Sequence, residues 1–529
     1  MRLSARNKHL VLDCRYEDRE IAKALGGKWD KKRKYWWFYP SLMSYLNLKA
    51  ADDVEIDQDI TNYFSKKLQY YNDQKNQKNV SNIRDFKFKT RPYDHQYKIT
   101  DLFLSSEKAF TFAGVGTGKS KAVIDTASVL YARSQVKKIL VVCPASIMVN
   151  FADEIATHSN LEVVVIDGSI DKRKGLLTID VPFHIINYDI LVKLEKILIK
   201  KQYDMMIFDE IHYCKNRASQ RSRAAYKISQ GVKYRFGLTG TIISNNYEDL
   251  FMPYKIIDEK ILGEYFTQFK NRYFVMGGYM GYETLGFQNE DELKRLIGLN
   301  SIKFELRDVK DLPPEVIIKK KITLTPKSMK KYQTLKKEMV LEHQVDDKPV
   351  FNILERLMRL SQITSGFITD TELGKDDFGD EKLAVLKDLL EEIEGKVIIF
   401  ARFRHSIDKI RKMCEECGYS AYIYDGRTKE KGLYHKFNSD DTKVWISQIQ
   451  KGEGYSIPMA KYAIFYELNY SRKDHVQCKG RNLRLTGSDD GSCYYIYLLA
   501  ENTIDEVIYQ TLQDKEFTSR DALEFVKGI

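Results

Sequence analysis

At 529 residues the chain is too long for one hydrophobic core, so two or more domains are expected. A composition of 43% hydrophobic and 30% charged residues, no apolar run long enough to span a bilayer, and an N-terminus (MRLSARNKHL) unlike a signal peptide argue against membrane and secreted classes and predict a soluble, intracellular protein. The surplus of 85 Lys and Arg over 74 Asp and Glu, +11 overall, favours an anionic partner, and seven cysteines without an export signal fit a reducing compartment.

Residues 1–49 hold 12 Lys and Arg against 5 Asp and Glu, so this small piece carries +7 of the surplus. Leu10-Val11-Leu12 predicts a strand, and Asp18 to Leu25 predicts a helix stopped by Gly26-Gly27. A basic turn over Lys28–Lys34, including Lys31, Lys32 and Arg33, runs into Tyr35-Trp36-Trp37-Phe38. Basic residues beside aromatics such as Trp36 can grip phosphates and stack on unpaired bases. The same aromatics could equally form the only core of a small domain. Residues 51–90 turn acidic and then Gln/Asn/Lys-rich, and read as a helix plus flexible linker.

In Arg91-Pro92-Tyr93-Asp94-His95-Gln96, the Gln96 amide can read both edges of an adenine. An apolar strand from Lys108 to Phe112 then leads into Ala113-Gly114-Val115-Gly116-Thr117-Gly118-Lys119-Ser120. Such a loop can wrap a polyphosphate with its N–H groups, Lys119 reaching the terminal phosphates and Ser120 ligating Mg²⁺. The first glycine of the usual pattern is Ala113 here. A helix from Lys121 to Arg133 would aim its N-terminal dipole at the phosphates.

Strand and helix signals then alternate, with strands at 138–143, 162–166, 183–187, 203–208 and 234–238, the cadence of a parallel sheet with helical crossovers. Ligands of such sheets sit at the carboxyl ends of the strands. The run Met205–Phe208 ends in Asp209-Glu210-Ile211-His212. Two carboxylates at the end of a buried strand are costly unless they face something positive. Asp209 can hold Mg²⁺, Glu210 can orient and deprotonate a water, and His212 can couple the site to its surroundings. Leu238-Thr239-Gly240-Thr241 offers hydroxyls at the same sheet edge. The middle of the chain holds a glycine–aromatic hairpin or loop (277–282), a basic helix (326–341) and an amphipathic one (354–363).

A second α/β series begins near 382, with strands at 397–400, 421–424, 444–447, 463–467 and 494–498 and no second phosphate loop. Cys414 and Cys417 lie in a helical run and lack a second pair at metal-site spacing. The stretch Gln477-Cys478-Lys479-Gly480-Arg481-Asn482-Leu483-Arg484 would place Arg481 and Arg484, at i and i+3, on one helical face. Guanidiniums there could stabilise charge on a transferring phosphoryl group.

In this order, Gln96, Ala113–Ser120, Asp209–His212, Thr239–Thr241 and Gln477–Arg484 resemble the motifs of superfamily-two helicases and translocases, and more narrowly the Swi/Snf-type ATPases. Val141–Ser146, with Pro144, is similar to their motif Ia, and Ile185–Asp189, with Asn187 and Tyr188, to a following DNA-contact motif. Leu306–Pro314, Tyr424–Thr428 and Thr503–Glu506 fit as well. Ala113-Gly114-Val115 and the lack of any histone-binding tail depart from chromatin remodellers and favour a compact bacterial or viral DNA motor. Residues 1–50 resemble the HARP-type accessory domain of DNA-annealing motors, which helps engage branched or forked DNA.

The expected fold is therefore α/β: two tandem RecA-like parallel-sheet lobes preceded by a small basic α+β domain. The expected divisions are 1–50 (accessory), 51–90 (helix and linker), 91–255 (first lobe), 256–380 (interlobe helical region) and 381–529 (second lobe). The resemblance implies an ATPase using ATP and Mg²⁺, with Gln96, Ala113–Ser120 and Gln477 holding nucleotide and Lys119, Glu210, Arg481 and Arg484 acting in catalysis. It implies a monomer tracking on duplex, fork or junction DNA, away from membranes. Two rivals are a motor that strips proteins from DNA or RNA and a nucleotide-gated binding scaffold; the intact Lys119, Asp209, Glu210, Arg481 and Arg484 disfavour the scaffold.

Overall fold

The structure is a computed structural model. It describes residues 1–529 apart from 7–8, 52–53, 77–82, 115, 241–246, 279–282, 305–313, 346–349, 371–373, 453, 483–491 and 514–529. Val115, Thr241, Arg484 and most of Leu306–Pro314 therefore lie outside the described residues. The chain divides into two compact units, Met1–Val309 and Lys310–Ile529.

The first unit opens with a small α+β layer. Strands β1 (Arg2–Arg6), β2 (His9–Asp13), β3 (Lys28–Asp30), β4 (Tyr35–Phe38) and β5 (Glu55–Ile56) form a sheet in the order β3-β4-β2-β1-β5. Helices α1 (Arg19–Ala24), α2 (Leu42–Lys49) and α3 (Gln58–Asn76) accompany it. The expected basic turn narrows to Lys31–Lys34, since Lys28–Asp30 pairs with Tyr35–Trp37 as a strand. Asp30 shapes that turn by accepting from the backbone N–H groups of Lys32 (2.9 Å) and Arg33 (3.0 Å).

This layer is fused to the first lobe. Leu3, Leu12, Phe38, Phe64 and Tyr71 belong to one continuous core with Phe251, Tyr254 and Phe269 of that lobe. Polar ties reinforce it: Gln268 Nε2 donates to the Gly26 carbonyl at 2.7 Å, and Tyr71 OH to Asp258 Oδ2 at 2.6 Å. The helix expected in 51–90 is α3, and it works as part of this seam.

The first lobe is built on helix α4 (Asp94–Ser105), strand β6 (Lys108–Ala113), helix α5 (Lys119–Ala132) and strands β7 (Ile139–Cys143), β8 (Val163–Val165), β9 (Phe183–Asn187), β10 (Met205–Asp209) and β11 (Tyr234–Thr239). After an antiparallel hairpin, β12 (Phe274–Gly277) and β13 (Glu283–Phe287), the chain returns as β14 (Ser301–Phe304). The sheet is wholly parallel in the order β14-β6-β11-β10-β7-β9-β8. Strand β7 and the body of β10 are apolar because alternate residues enter different cores: in β7, Leu140 and Val142 on one face, Val141 and Cys143 on the other. Strand β14 sits beside the strand leading to the phosphate loop, so this part of the expected interlobe region belongs to the first lobe.

The second unit has its own parallel sheet. Strand β15 (Glu315–Ile322) comes first, then a small hairpin, β16 (Phe367–Asp370) and β17 (Gly374–Asp377). Strands β18 (Val397–Ala401), β19 (Ala421–Tyr424), β20 (Val444–Gln448), β21 (Tyr462–Phe465) and β22 (Cys493–Ala500) complete it. The order is β15-β22-β21-β18-β20-β19, all parallel. The lobe thus begins at β15, well before the expected position near 382. A buried ion pair, Lys382 Nζ to Asp505 Oδ2 at 2.6 Å, ties the helix Glu381–Glu392 to the Thr503–Glu506 segment, where Asp505 also accepts from Thr364 Oγ1 at 2.9 Å. No helix among the described residues is long and apolar enough to cross a membrane.

Candidate active site

The phosphate-loop residues lie where β6 hands over to α5. Gly116 (φ +84°) and Gly118 (φ +72°) occupy the left-handed region that glycine enters without steric cost. Thr117 closes the loop, its Oγ1 donating to the Gly114 carbonyl at 2.8 Å. Lys119 and Ser120 open α5, so their side chains leave from the helix N-terminus, where free N–H groups and the macrodipole favour anions.

Strand β10 delivers the carboxylates two strands away from β6. Asp209 and Glu210 are both buried, and Lys119 Nζ stands 3.5 Å from Glu210 Oε1. Burial first, then the neighbouring Glu210, pushes the Asp209 carboxyl well above the usual carboxylate range. His212 Nδ1 lies 3.2 Å from Glu210 Oε2 and 3.1 Å from Thr239 Oγ1 at the end of β11. Its Nε2 is buried with no hydrogen-bond partner among the described residues. Lys119, Glu210, His212 and Thr239 thus form one chain of polar contacts across the carboxyl edge of the sheet, with Asp209 beside it. Gly240 follows directly.

No group of three or more His, Cys, Asp or Glu among the described residues is arranged to hold a metal by itself. Magnesium carried on substrate phosphates needs only one or two protein oxygens. A buried carboxylate at Asp209 and a hydroxyl at Ser120 supply that donor set.

Gln96 is placed differently from its expected adenine-reading role. Its Oε1 accepts from the Tyr93 N–H at 2.9 Å and closes the start of α4, while its Nε2 abuts Gly118. Half of the amide is committed to the backbone, so the residue spans helix start and phosphate loop. The neighbouring His95 was not singled out by the sequence. Its Nε2 donates to the Thr117 carbonyl at 2.6 Å, and its ring stacks on Tyr93 and meets Phe304 edge-on. No spacing rule links His95 to Thr117; only its place beside Gln96 hinted at it. Lys121 is likewise structural: its ammonium bonds Asp125 (2.6 Å) and the Thr90 carbonyl (3.1 Å), pinning the segment that leads into α4.

Of the expected nucleic-acid residues, Pro144 follows β7 directly. Asn187 turns its Oδ1 back to the Ile190 N–H at 3.1 Å and caps a short 3₁₀ turn. Tyr188 is 1% exposed, so it faces the interior of the lobe rather than a nucleic acid; its apolar neighbours Ile185 and Ile186 carry it inward. Lys31, Lys32 and Arg33 are exposed, and half-buried Trp36 lies 5.6 Å from the half-exposed Trp29 ring.

In the second lobe Arg481 does not lie on the expected helix, and Arg484 is outside the described residues. The helix Arg472–Lys479 ends at Gly480, which favours termination, and Arg481 lies past it. Arg481 instead donates from Nε to the Gln477 carbonyl and from NH1 to the Tyr455 carbonyl, both at 2.8 Å. Gln477 is buried on that helix.

Residues 58–366 match the model of the SNF2-related domain, residues 381–486 that of the helicase conserved C-terminal domain, and residues 9–43 a domain of unknown function, DUF5710. The chain is 26% identical over 401 residues to a Caenorhabditis elegans homolog of "SWI/SNF-related matrix-associated actin-dependent regulator of chromatin subfamily A-like protein 1" (71% of this chain, 54% of that protein). It is 26% identical over 428 residues to human "DNA annealing helicase and endonuclease ZRANB3" (76% and 37%). Protein p41 of Acyrthosiphon pisum secondary endosymbiont phage 1 is 27% identical over 347 residues (61% and 74%). The chain spans about half the length of the first of these relatives and about a third of the human one. With the SNF2-related model covering more than half of it, this chain belongs to the SNF2-related family of helicase-like ATPases.

Proposed function

We propose that this protein is an ATP-driven translocase on double-stranded or branched DNA that remodels forks or junctions. The observation that carries the reading is the polar chain from Lys119 through Glu210 and His212 to Thr239, which links a phosphate-binding helix start to the end of a neighbouring strand. Lys119 and the loop N–H groups hold the terminal phosphates. Glu210 orients the attacking water and takes its proton. Asp209 and Ser120 would hold magnesium, which would neutralise phosphate charge. Of the second-lobe arginines, Arg484 is the stronger candidate for stabilising charge on the transferring phosphoryl group, since two Arg481 nitrogens already serve carbonyls.

His212 sits between the water-orienting carboxylate and Thr239 at the end of β11, so hydrolysis at Glu210 is communicated to that strand end. The relatives named for DNA annealing support forks or junctions as substrate, and the exposed Lys31–Lys34 turn is the surface we assign to engaging them. The deciding experiment measures ATPase stimulation by single strand, duplex, fork, four-way junction and RNA side by side. Fork or junction is expected to stimulate most; RNA alone stimulating, or none, would overturn the reading.

A further inference from the structure

Tyr188 reaches the backbone at the end of β10, next to Glu210. Its hydroxyl donates to the backbone carbonyl of Asp209 at 2.8 Å, the last peptide before the chain leaves β10. The next residue, Glu210, adopts φ +52° and ψ +51°, a left-handed conformation that a side-chain-bearing residue reaches only when its surroundings impose it. That turn aims the Glu210 carboxylate at both Lys119 and His212. A donor fixed on the preceding carbonyl sets the plane of the peptide entering the turn, and Tyr188 is well placed to do so. Its ring is fully buried and stacks on Tyr213, at 5.6 Å and nearly parallel, which closes the same turn on the far side of His212.

The neighbours of Tyr188 extend this clamp to the lobe surface. Asn187 caps the 3₁₀ turn that begins at Tyr188. Asp189, largely exposed, pairs with Arg221 at 3.2 Å, and the Arg221 guanidinium lies 5.9 Å from the Tyr213 ring. The surface segment 187–190 and the catalytic turn 209–213 thus form one packed unit.

We infer that Tyr188 is a positioning residue for hydrolysis: its hydroxyl keeps Glu210 in the strained conformation in which it can take a proton, and displacement of the 187–190 turn is felt directly at Glu210. This rests on Glu210 being the base, so Glu210→Gln is run alongside. The test is Tyr188→Phe, which keeps the ring and removes only the donor, with Tyr254→Phe as the control, since it removes an equally buried hydroxyl bonded to a carbonyl (Ile297, 3.0 Å) away from the site. Tyr188→Phe should lower kcat at saturating ATP about 5- to 10-fold, about 1–1.4 kcal/mol, with KM for ATP within twofold of wild type. It should also speed amide exchange across Glu210–Tyr213; Tyr254→Phe should keep kcat.

An unchanged kcat in Tyr188→Phe, or an equal loss in both tyrosine variants, would overturn the inference while an inactive Glu210→Gln left the base assignment standing. An active Glu210→Gln would remove the base assignment itself. Should Tyr188→Phe be poorly folded at 37 °C, the comparison is made at 20 °C, with the kcat-to-KM split and amide exchange as the readouts.

Discussion

Replacing Gly118 with alanine strikes the tightest approach at the phosphate loop. An added β-carbon would lie 2.1 Å from Gln96 Nε2, and the backbone there is at φ +72°. Holding an alanine in the left-handed region costs about 1–2 kcal/mol. Gln96 is not free to step aside, since it is buried and its Oε1 satisfies the Tyr93 N–H. Breaking that bond inside the protein costs a further ~1–3 kcal/mol. The total, roughly 2–5 kcal/mol, corresponds to a fall of about 4–10 °C in the melting midpoint of the first unit.

Because the displaced backbone is the one that would surround the phosphates, ATP affinity should fall at least about tenfold, a change of ~1.4 kcal/mol. The assays are differential scanning fluorimetry and equilibrium titration with a fluorescent ATP analogue. Adding Gln96→Ala removes the obstructing amide, so the double variant should be more stable than the two single losses predict by at least about 1 kcal/mol. A Gly118→Ala protein with the wild-type midpoint and affinity, or strictly additive singles, would refute the reasoning.

Glu210→Gln should keep ATP binding and lower turnover by at least about 100-fold in a single-turnover assay; undiminished hydrolysis would end the base assignment. Arg484→Ala should lose DNA-stimulated hydrolysis with ATP still bound, and Arg481→Ala should do the same while also lowering the melting point of the second unit, because it frees the Gln477 and Tyr455 carbonyls. Normal stimulated rates in both variants would remove the arginine-finger role. Lys121→Met strands the Asp125 carboxylate, which burial already lifts from 3.8 to about 6, and should cost about 3–5 kcal/mol at pH 7.5. The folded carboxyl holds its proton more tightly than the unfolded one, so its ionisation weakens the fold as pH rises through this interval and beyond in the variant. The deficit should therefore narrow between pH 7.5 and 5.5, and a constant deficit would exclude Asp125 as its source. Replacing Lys31, Lys32 and Arg33 with alanine should weaken fork binding and flatten its log–log salt dependence by about 1 for each phosphate no longer neutralised; an unchanged slope would place the DNA elsewhere.

The strands buried on both faces were legible because burial on two sides demands uninterrupted apolar runs, as in Met205–Phe208. Strands β14 and β15 escaped because lysine interrupts their apolar runs; the other edge strands, β8 and β19, carry none and were legible. Ser301–Phe304 has one lysine in four residues and Glu315–Ile322 a run of three, and pairing with distant partners, Phe110–Ala113 and Cys493–Ala500, makes them strands. At the site, residue types and order sufficed for Lys119, Asp209, Glu210 and His212, since their chemistry is local to a loop or a strand end. What the sequence could not reveal was where each side chain spends its hydrogen bonds. Gln96 turned half of its amide to its own helix, Arg481 fell beyond a helix that Gly480 closed early, and Tyr188 turned inward.

The seam between the N-terminal sheet and the first lobe bears on avidity. A module on a loose tether raises the effective concentration of its ligand near the motor by an amount set by tether length. Here the Lys31–Lys34 turn is built on a sheet whose core runs into Phe251, Tyr254 and Phe269, so it has no tether to lengthen. Whatever this turn grips is presented to the first lobe at one distance and one angle, as a jig presents a workpiece. Substrates would then be chosen by geometry, those whose phosphates fit the turn and the lobe at once, with little room for adjustment by linker length.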